Sequence, residues 1–220
     1  MLDILMSVHQ EWIVKMASGE KTDELRKTWP KNIPTPFRVR LYCTRGRGPQ
    51  TLLLDGKGDV CERCQWQEER ALRSGRRRRS GPSESEGTVM RKRQQEGAEL
   101  GDYRNIHNGW QIGNGFVVGE FICPGRTVVK SYTEGKLGRL LDELVEISRT
   151  TCLSVEEICS YIGIGHHGSA WHIRDLKIYD KPIELDRFFM PAEHDGEWLC
   201  RVERAPQSWC YIEQIIRGAG

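Results

Sequence analysis

Apolar and polar residues alternate along several short stretches of the chain, and this pattern predicts strands. Other stretches repeat apolar residues at helical spacing, as where Trp12, Ile13 and Met16 share one face. The pattern predicts strands at 2–7, 22–26, 37–43, 113–123, 171–178, 197–204 and 210–215, with helices at 10–18, 136–149 and 154–162. Because strands and helices do not alternate regularly, we predict an α+β fold: a small, partly open mixed β-barrel with peripheral helices.

Residues 50–112 interrupt this pattern. They are rich in Gly, Arg, Gln and Ser, and such a composition buries too little apolar surface to offset the entropy lost on ordering. Residues 70–93 alone carry nine Arg or Lys against two Glu, a net +7 in a chain whose net charge is +2. We therefore predict one domain from residues 1–49 and 113–216, a basic and largely disordered insertion at 50–112 with a loosely helical stretch around 62–72, and a tail at 217–220.

Three charged residues follow the first predicted helix in the pattern Gly-x-Lys-x-x-Glu-x-Arg, which begins at Gly19. On a strand, Thr22, Glu24 and Arg26 lie on one face, while Lys21 sits at the turn. A carboxylate flanked by an ammonium and a guanidinium suits a polar ligand that carries a phosphate or a base. We expect these side chains at an open cleft, where substitution costs little stability. The alternative is an ordinary surface salt bridge.

This spacing resembles the signature of the ASCH domain, a relative of the PUA RNA-binding fold. Further stretches resemble the phage and prophage branch of that family: residues 6–12, 118–123 and 204–211. The resemblance implies a PUA-like barrel on which Lys21, Glu24 and Arg26 line a cleft for RNA or a modified nucleotide. One branch of the family hydrolyses the acetyl amide of N4-acetylcytidine with a Thr nucleophile, but this chain has Glu24 at that position. Such hydrolysis would need the hydroxyl of Thr22 instead.

Further residues are candidates for the same cleft. His9 precedes the first helix and is a candidate partner for a phosphate or a proton, although a solvated or capping histidine explains it equally well. Trp171 and His172, with Trp12 and Trp29, are candidate stacking platforms for a base, against the alternative of core packing. The basic run offers non-specific contacts to nucleic-acid phosphates through Arg76, Arg77, Arg78 and Arg79.

The cysteines and the hydropathy limit three further classes of function: metal binding, disulfide chemistry and membrane association. Cys61 and Cys64 have the spacing of half a zinc site, but no second ligand pair follows, so we predict no metal and no cofactor. The other cysteines read as reduced, buried residues. The chain shows no signal peptide and no apolar run long enough for a membrane span, which predicts a cytoplasmic protein with no membrane partner.

The sequence thus predicts a protein that binds RNA or a modified nucleotide in a polar cleft. An enzyme is the first alternative: a ribonuclease or an amidohydrolase that uses Lys21 for electrostatic stabilisation or as a base, and Glu24 as a general acid or base. The second alternative is an interaction protein in which the basic insertion makes the contact. The residue pattern leaves these readings open.

Overall fold

The computed structural model describes residues 2–45, 52–55, 57, 60–62, 106–107, 110–131, 137–191 and 200–213. The helices within them are α1 (Gln10–Ala17), α2 (Leu137–Thr151) and α3 (Val155–Ile162), with a 3-10 turn at Leu185–Arg187. The strands are β1 (Leu2–Val8), β2 (Asp23–Arg26), β3 (Phe37–Cys43), β4 (Leu52–Leu54), β5 (Val60–Glu62), β6 (Ile106–His107), β7 (Trp110–Ile112), β8 (Val117–Cys123), β9 (Arg126–Lys130), β10 (His167–His172), β11 (Arg174–Ile183) and β12 (Trp209–Glu213).

The described strands form three sheets. A five-stranded sheet has the order β11-β8-β3-β1-β12, and its pairs are antiparallel except β1 with β3. A three-stranded antiparallel sheet has the order β2-β10-β9, and a four-stranded one has the order β5-β4-β7-β6. The predicted α+β class is confirmed, and the strands of the described part do not close into a barrel.

Three apolar clusters hold these sheets and helices together. The largest packs α1 against the five-stranded sheet and includes Ile4, Ile13, Val39 and Phe121. A second lies between the three-stranded sheet and the helices α2 and α3. A third covers part of the five-stranded sheet around Leu5 and Phe188. The second cluster fixes α2 and α3 against the strand β2.

The helix predicted at 154–162 illustrates why several sequence predictions are confirmed. The Ser154 side chain accepts a hydrogen bond from the backbone N–H of Glu157, and the Glu157 carboxylate accepts one from the backbone N–H of Ser154. This reciprocal cap satisfies donors that the first helical turn leaves unpaired. The chain leaves the helix at Gly163, whose φ of +91° favours glycine.

The ends of the predicted insertion at 50–112 are folded. The strands β4 and β7 lie inside that segment and pair with each other. Leu52 and Leu54 are fully buried in the largest cluster. The three consecutive leucines follow a Gly- and Arg-rich stretch, so average composition concealed a buried strand. Glu62 ends a strand, and the predicted helical stretch after it, like residues 63–105 as a whole, lies outside the described residues.

Two strand predictions also need correction, and one strand was not predicted. The single strand predicted at 171–178 is two strands, because the chain passes at Ile173 from the three-stranded to the five-stranded sheet. An edge strand at 126–130 was missed, since Val129 is its one buried residue and the alternation is weak. Instead of a strand at 197–204, the described residues hold an isolated bridge between Phe189 and Arg201.

None of the helices in the described ranges is long and apolar enough to span a membrane.

Candidate functional site

The strand β2 positions the charged signature between two layers of the protein. It pairs antiparallel with β10, and Leu25 packs into the cluster beneath α2 and α3. Glu24 and Arg26 therefore point to the opposite side of the sheet. All four residues of this strand are buried, because both sides of the strand are covered. The alternative of an ordinary surface salt bridge does not fit this burial.

Lys21, Glu24 and Arg26 form one buried ionic cluster, which we call the triad. Lys21 Nζ lies 3.2 Å from Glu24 Oε2, and Arg26 Nη2 lies 2.9 Å from Glu24 Oε1. The residues are 3%, 6% and 8% exposed. One carboxylate thus serves two cations, which leaves the triad with a net charge of +1.

Two helix ends hold the lysine in place. The chain turns after α1 at Gly19, where φ is +80°, and the Lys21 N–H then donates to the Lys15 carbonyl at 2.9 Å. Lys21 Nζ donates to the carbonyl of Thr151, the last residue of α2, at 2.7 Å. The carbonyl end of a helix carries partial negative charge, so an ammonium group is stabilised there.

The arginine is held by the backbone and a hydroxyl group. Arg26 Nη2 donates to the carbonyl of Ser7 at 2.6 Å, and Nη1 donates to Ser208 Oγ at 3.3 Å. Two buried triad atoms, Arg26 Nε and Glu24 Oε2, have no hydrogen-bond partner among the described residues, although Oε2 is within ion-pair distance of Lys21. Leaving a buried polar atom without a hydrogen bond costs free energy, and active or binding sites are one place where this occurs.

A cavity of about 430 Å³ opens directly onto the triad. Its lining also includes Glu157 and Tyr161, which lie about one turn apart on α3, and Leu153, which precedes that helix. The rest of the lining comes from the ends of β1 and β3, from β2, from α1 and from the segment before β12: Ser7, Val8, His9, Trp12, Leu25, Thr44, Gln207 and Ser208. The charged floor, the hydroxyl groups and the two aromatic rings make this a polar pocket with apolar walls.

The aromatic wall of the pocket carries cations. Lys21 Nζ and Lys15 Nζ each lie 5.0 Å from the centroid of the Trp12 ring. Lys27 Nζ lies 5.3 Å from the centroid of Tyr161. Cations at such distances are attracted to the electron-rich faces of the rings. Two cations outside the triad, Lys15 and Lys27, therefore lie beside the aromatic rings of the pocket.

The structure brings some predicted site residues together and separates others. His9 lies in the pocket lining, where its Nδ1 is 3.0 Å from Thr44 Oγ1. Thr22 is exposed and does not line the pocket. Its predicted role in the cleft stays a prediction.

Trp171 and His172 do not belong to the pocket. Trp171 is fully buried and packs edge-on against Trp29 and Phe37, which makes it a core residue and not a platform for a base. His172 pairs with Asp23 at 2.8 Å on the side of the strand away from the triad. Asp23 and Glu24 point to opposite faces of the strand because side chains alternate along it. His172 lies opposite Asp23 on β10 and therefore shares the face of Asp23.

The other predicted contacts lie largely outside the described residues. Arg76, Arg77, Arg78 and Arg79 fall in the undescribed segment, as does Cys64, so those predictions stay predictions. Among the residues that are described, no group of three or more His, Cys, Asp or Glu side chains is placed to hold a metal ion.

Sequence reasoning missed several pocket residues. Ser7 and Ser208 lie in the stretches 6–12 and 204–211, which resemble the ASCH family. Those stretches supported the resemblance, but their residues were not considered as part of the site. Tyr161 gave no comparable signal. Its position at the pocket follows from the packing of α3 on the three-stranded sheet, which no local pattern reveals.

A second ionic cluster lies on the five-stranded sheet. Arg40 contacts Glu120, lies 2.5 Å from Tyr179 Oη and lies 3.3 Å from Asp3 Oδ2. Burial raises the pKa of the Asp3 carboxyl, and the nearby Arg40 guanidinium partly opposes this shift. These groups satisfy one another across adjacent strands, and we regard the cluster as structural.

Comparison with known proteins gives a fold likeness only. No protein-family model matches the chain, and no curated protein sequence matches it. The crystal structure of ASCH from Zymomonas mobilis aligns with 96% of this chain and 88% of its own, at 14% identity and a TM-score of 0.48. Structures of two mutants of that protein align with 96% of this chain and with 89% and 91% of theirs, at 14% identity and TM-scores of 0.47.

Proposed function

We propose that this chain is an ASCH-type, PUA-like domain, of the phage and prophage branch, that binds RNA or a modified nucleotide in the pocket above the triad. The observation that carries the proposal is the buried Lys21, Glu24 and Arg26 cluster at the base of a cavity of about 430 Å³. Buried charges are expensive to maintain, and clusters of them in a pocket point to a functional role. The resemblance of the sequence stretches to the family supports the same reading.

The polar groups of the pocket suit a ligand with both donors and acceptors. The triad supplies cationic donors, while Glu24 and Glu157 supply carboxylates. The Glu157 carboxylate accepts a hydrogen bond in the cap of its own helix, so its charge stays at the edge of the pocket. A base edge joined to a phosphate uses both kinds of group, whereas a free phosphate uses only the donors.

The size and the walls of the pocket support the same ligand class. Pockets for ligands of drug or cofactor size run from roughly 300 to 1,000 Å³, and this one lies in the lower part of that range. Trp12 and Tyr161 provide aromatic faces within the lining. A base stacked on an aromatic ring gains about 1–3 kcal/mol.

Hydrolysis remains the second candidate because the pocket holds hydroxyl groups beside the triad. Arg26 Nη1 donates to Ser208 Oγ, which places a hydroxyl next to a cation. Proton transfer by Glu24 would have to break one of its two ion pairs, which disfavours it as the general acid or base. We therefore place binding ahead of catalysis.

A titration of purified protein with a panel of ligands tests the proposal. The panel contains a single-stranded RNA, mononucleotides, acylated nucleosides and inorganic phosphate, and chromatography of each mixture reveals turnover. We expect RNA or a nucleotide to bind, and Arg26→Lys to weaken binding about tenfold or more because the forked guanidinium is lost. The matched control is Arg204→Lys, since Arg204 is exposed and outside the pocket.

Two outcomes of that titration would overturn the proposal. Equal affinity of phosphate and nucleotide would show a simple anion site, and unchanged affinity in Arg26→Lys would place binding elsewhere. Turnover of an acylated nucleoside that Glu24→Gln abolishes while ligand still binds would instead establish the hydrolase.

A further inference from the structure

The geometry of the pocket mouth points to a single-stranded polynucleotide, and not a free nucleotide, as the ligand. We propose that Lys27, Tyr161 and Ile164 form a rim on which the nucleotide next to the pocket stacks. This inference rests on the proposed function, because the rim borders the same pocket, and it names the substrate class of that site.

The rim combines an aromatic ring, an aliphatic side chain and a cation at the surface. Tyr161 lines the pocket and is 38% exposed, and Ile164, three residues later, is 76% exposed. Lys27 follows Arg26 directly, is exposed, and places its Nζ 5.3 Å from the Tyr161 ring. The rim is therefore connected to the triad through Lys27, which is next to Arg26 in the sequence, and to α3 through Tyr161.

Backbone hydrogen bonds hold the loop that presents Ile164. The N–H of His166 donates to the Gly163 carbonyl at 3.2 Å, and the N–H of Ser131 donates to the His166 carbonyl at 3.1 Å. The Ser131 hydroxyl also donates to the Gly163 carbonyl. An exposed isoleucine on a braced turn is preorganised, so contact with a ligand costs little ordering entropy.

Single-stranded nucleic acid fits this combination better than other polymers. Proteins that bind single strands pair aromatic platforms for the bases with cations that follow the phosphates. Tyr161 offers the ring face, Ile164 offers an apolar edge, and the long side chain of Lys27 reaches a neighbouring phosphate. A free nucleotide seated in the pocket would leave this surface unused.

Binding of a mononucleotide and of an RNA hexamer, compared between two double variants, tests the inference. The rim variant is Lys27→Gln with Ile164→Ser, since neither residue lines the pocket. The matched control is Lys31→Gln with Met190→Ser, two exposed residues outside the lining. Full-length protein is used throughout, so any contribution of the basic segment is the same in every variant.

We expect the hexamer to bind about 5- to 150-fold more tightly than the mononucleotide, the ratio that one stacked base provides. The rim variant keeps the Tyr161 ring but lacks the Lys27 cation and the Ile164 side chain, so it should bind the hexamer severalfold more weakly and the mononucleotide with unchanged affinity. The control variant should match the unmodified protein for both ligands. Equal affinities for hexamer and mononucleotide in the unmodified protein, or an unchanged ratio in the rim variant, would overturn the inference while the pocket function stands. Conversely, hexamer binding that depends on the rim but is insensitive to Arg26→Lys would refute the pocket function and, with it, the assignment of a single strand to this pocket.

Discussion

Glu24 Oε1 lies 2.9 Å from Arg26 Nη2, and the two residues are separated by one position on the same strand. Residues at this spacing share a face of a strand, so the backbone itself brings the carboxylate and the guanidinium together. Lys21 completes the cluster from the turn before the strand. A local sequence pattern thus builds the floor of the pocket.

Removing the shared carboxylate should destabilise the protein more than removing one of its two cations. Glu24→Ala leaves two buried cations without a counter-charge, so we expect a loss of about 3–5 kcal/mol in the free energy of unfolding. Lys21→Met leaves Glu24 paired with Arg26, so we expect a loss of about 1–3 kcal/mol. Urea denaturation of each variant measures both values.

The exposed pair of Arg149 and Glu146 provides the control for that experiment. Its atoms are 3.4 Å apart on the surface of α2, and Arg149→Ala should change stability by less than about 1 kcal/mol. A Glu24→Ala protein as stable as the Arg149→Ala protein would contradict the buried cluster. It would restore the expectation of an open cleft with little structural role.

The signature was readable from the sequence, but its burial was not. The spacing of Lys21, Glu24 and Arg26 correctly brought them together, since strand alternation is local. Whether a strand is covered on both sides depends on distant segments, here the end of α2 at Thr151 and the loop at Ser208. For the same reason Trp171 was proposed as a stacking platform although it lies in the core.

Loss of the α3 cap should weaken both the helix and the pocket wall. Ser154→Ala removes the hydroxyl that accepts from the Glu157 N–H, at a cost of about 1 kcal/mol. Tyr161 is on the same helix, so ligand affinity should fall as well. Ser160→Ala, an exposed change within the helix, should leave both stability and affinity unchanged. If the two variants have equal melting temperatures, the cap contributes nothing.

A buried thiol should make stability depend on alkaline pH. Burial raises the pKa of Cys43 from 9.0 to about 12. The folded state keeps this proton where the unfolded state releases it, so the contribution of Cys43 is complete below about pH 9 and is lost as the pH rises toward 12. The stability difference between the protein and Cys43→Ala should therefore shrink as the pH rises.

Urea denaturation in reducing buffer between pH 8 and pH 11 measures that difference. Thiol labelling at pH 8 provides a second readout, because Cys200 is exposed and should react rapidly while Cys43 stays protected. A stability difference that does not change with pH, or equal labelling of the two thiols, would show that Cys43 is not buried as described.

Deletion of residues 63–105 should leave a folded protein with a working pocket. The strands β5 and β6 lie on opposite edges of the four-stranded sheet, three strand spacings or roughly 14 Å apart. A linker of about eight Gly and Ser residues spans that distance, since an extended chain covers about 3.3 Å per residue. Melting temperature and ligand affinity measure the outcome.

The same deletion removes the basic run from Arg76 to Arg79. Non-specific affinity for nucleic acid should fall and lose most of its salt dependence, because counterion release accounts for both. Recognition of a nucleotide in the pocket should persist. Insoluble protein, or loss of pocket binding, would show that the deleted segment is a structural part of the domain.

The ends of the predicted insertion at 50–112 show what composition alone cannot reveal. Gly and Arg dominate its average, yet Leu52, Leu53 and Leu54 form a buried strand. The helices and the strands at 2–8 and 37–43 were predictable because their apolar periodicity is sustained over seven or more residues. A three-residue strand offers too little periodicity, and its burial is decided by pairing with β7 across the whole segment.

Blocking the pocket without touching the triad tests the central claim most directly. Gln207 lines the pocket, is exposed and makes no described side-chain contact, so Gln207→Trp fills the mouth without removing an interaction. Asn32→Trp adds the same ring at an exposed position outside the pocket and is the control. Fluorescence anisotropy of a labelled single-stranded RNA should show affinity reduced about tenfold or more in Gln207→Trp and unchanged in Asn32→Trp, with equal melting temperatures. RNA binding of undiminished affinity in Gln207→Trp would contradict the claim that the pocket above Lys21, Glu24 and Arg26 is the binding site.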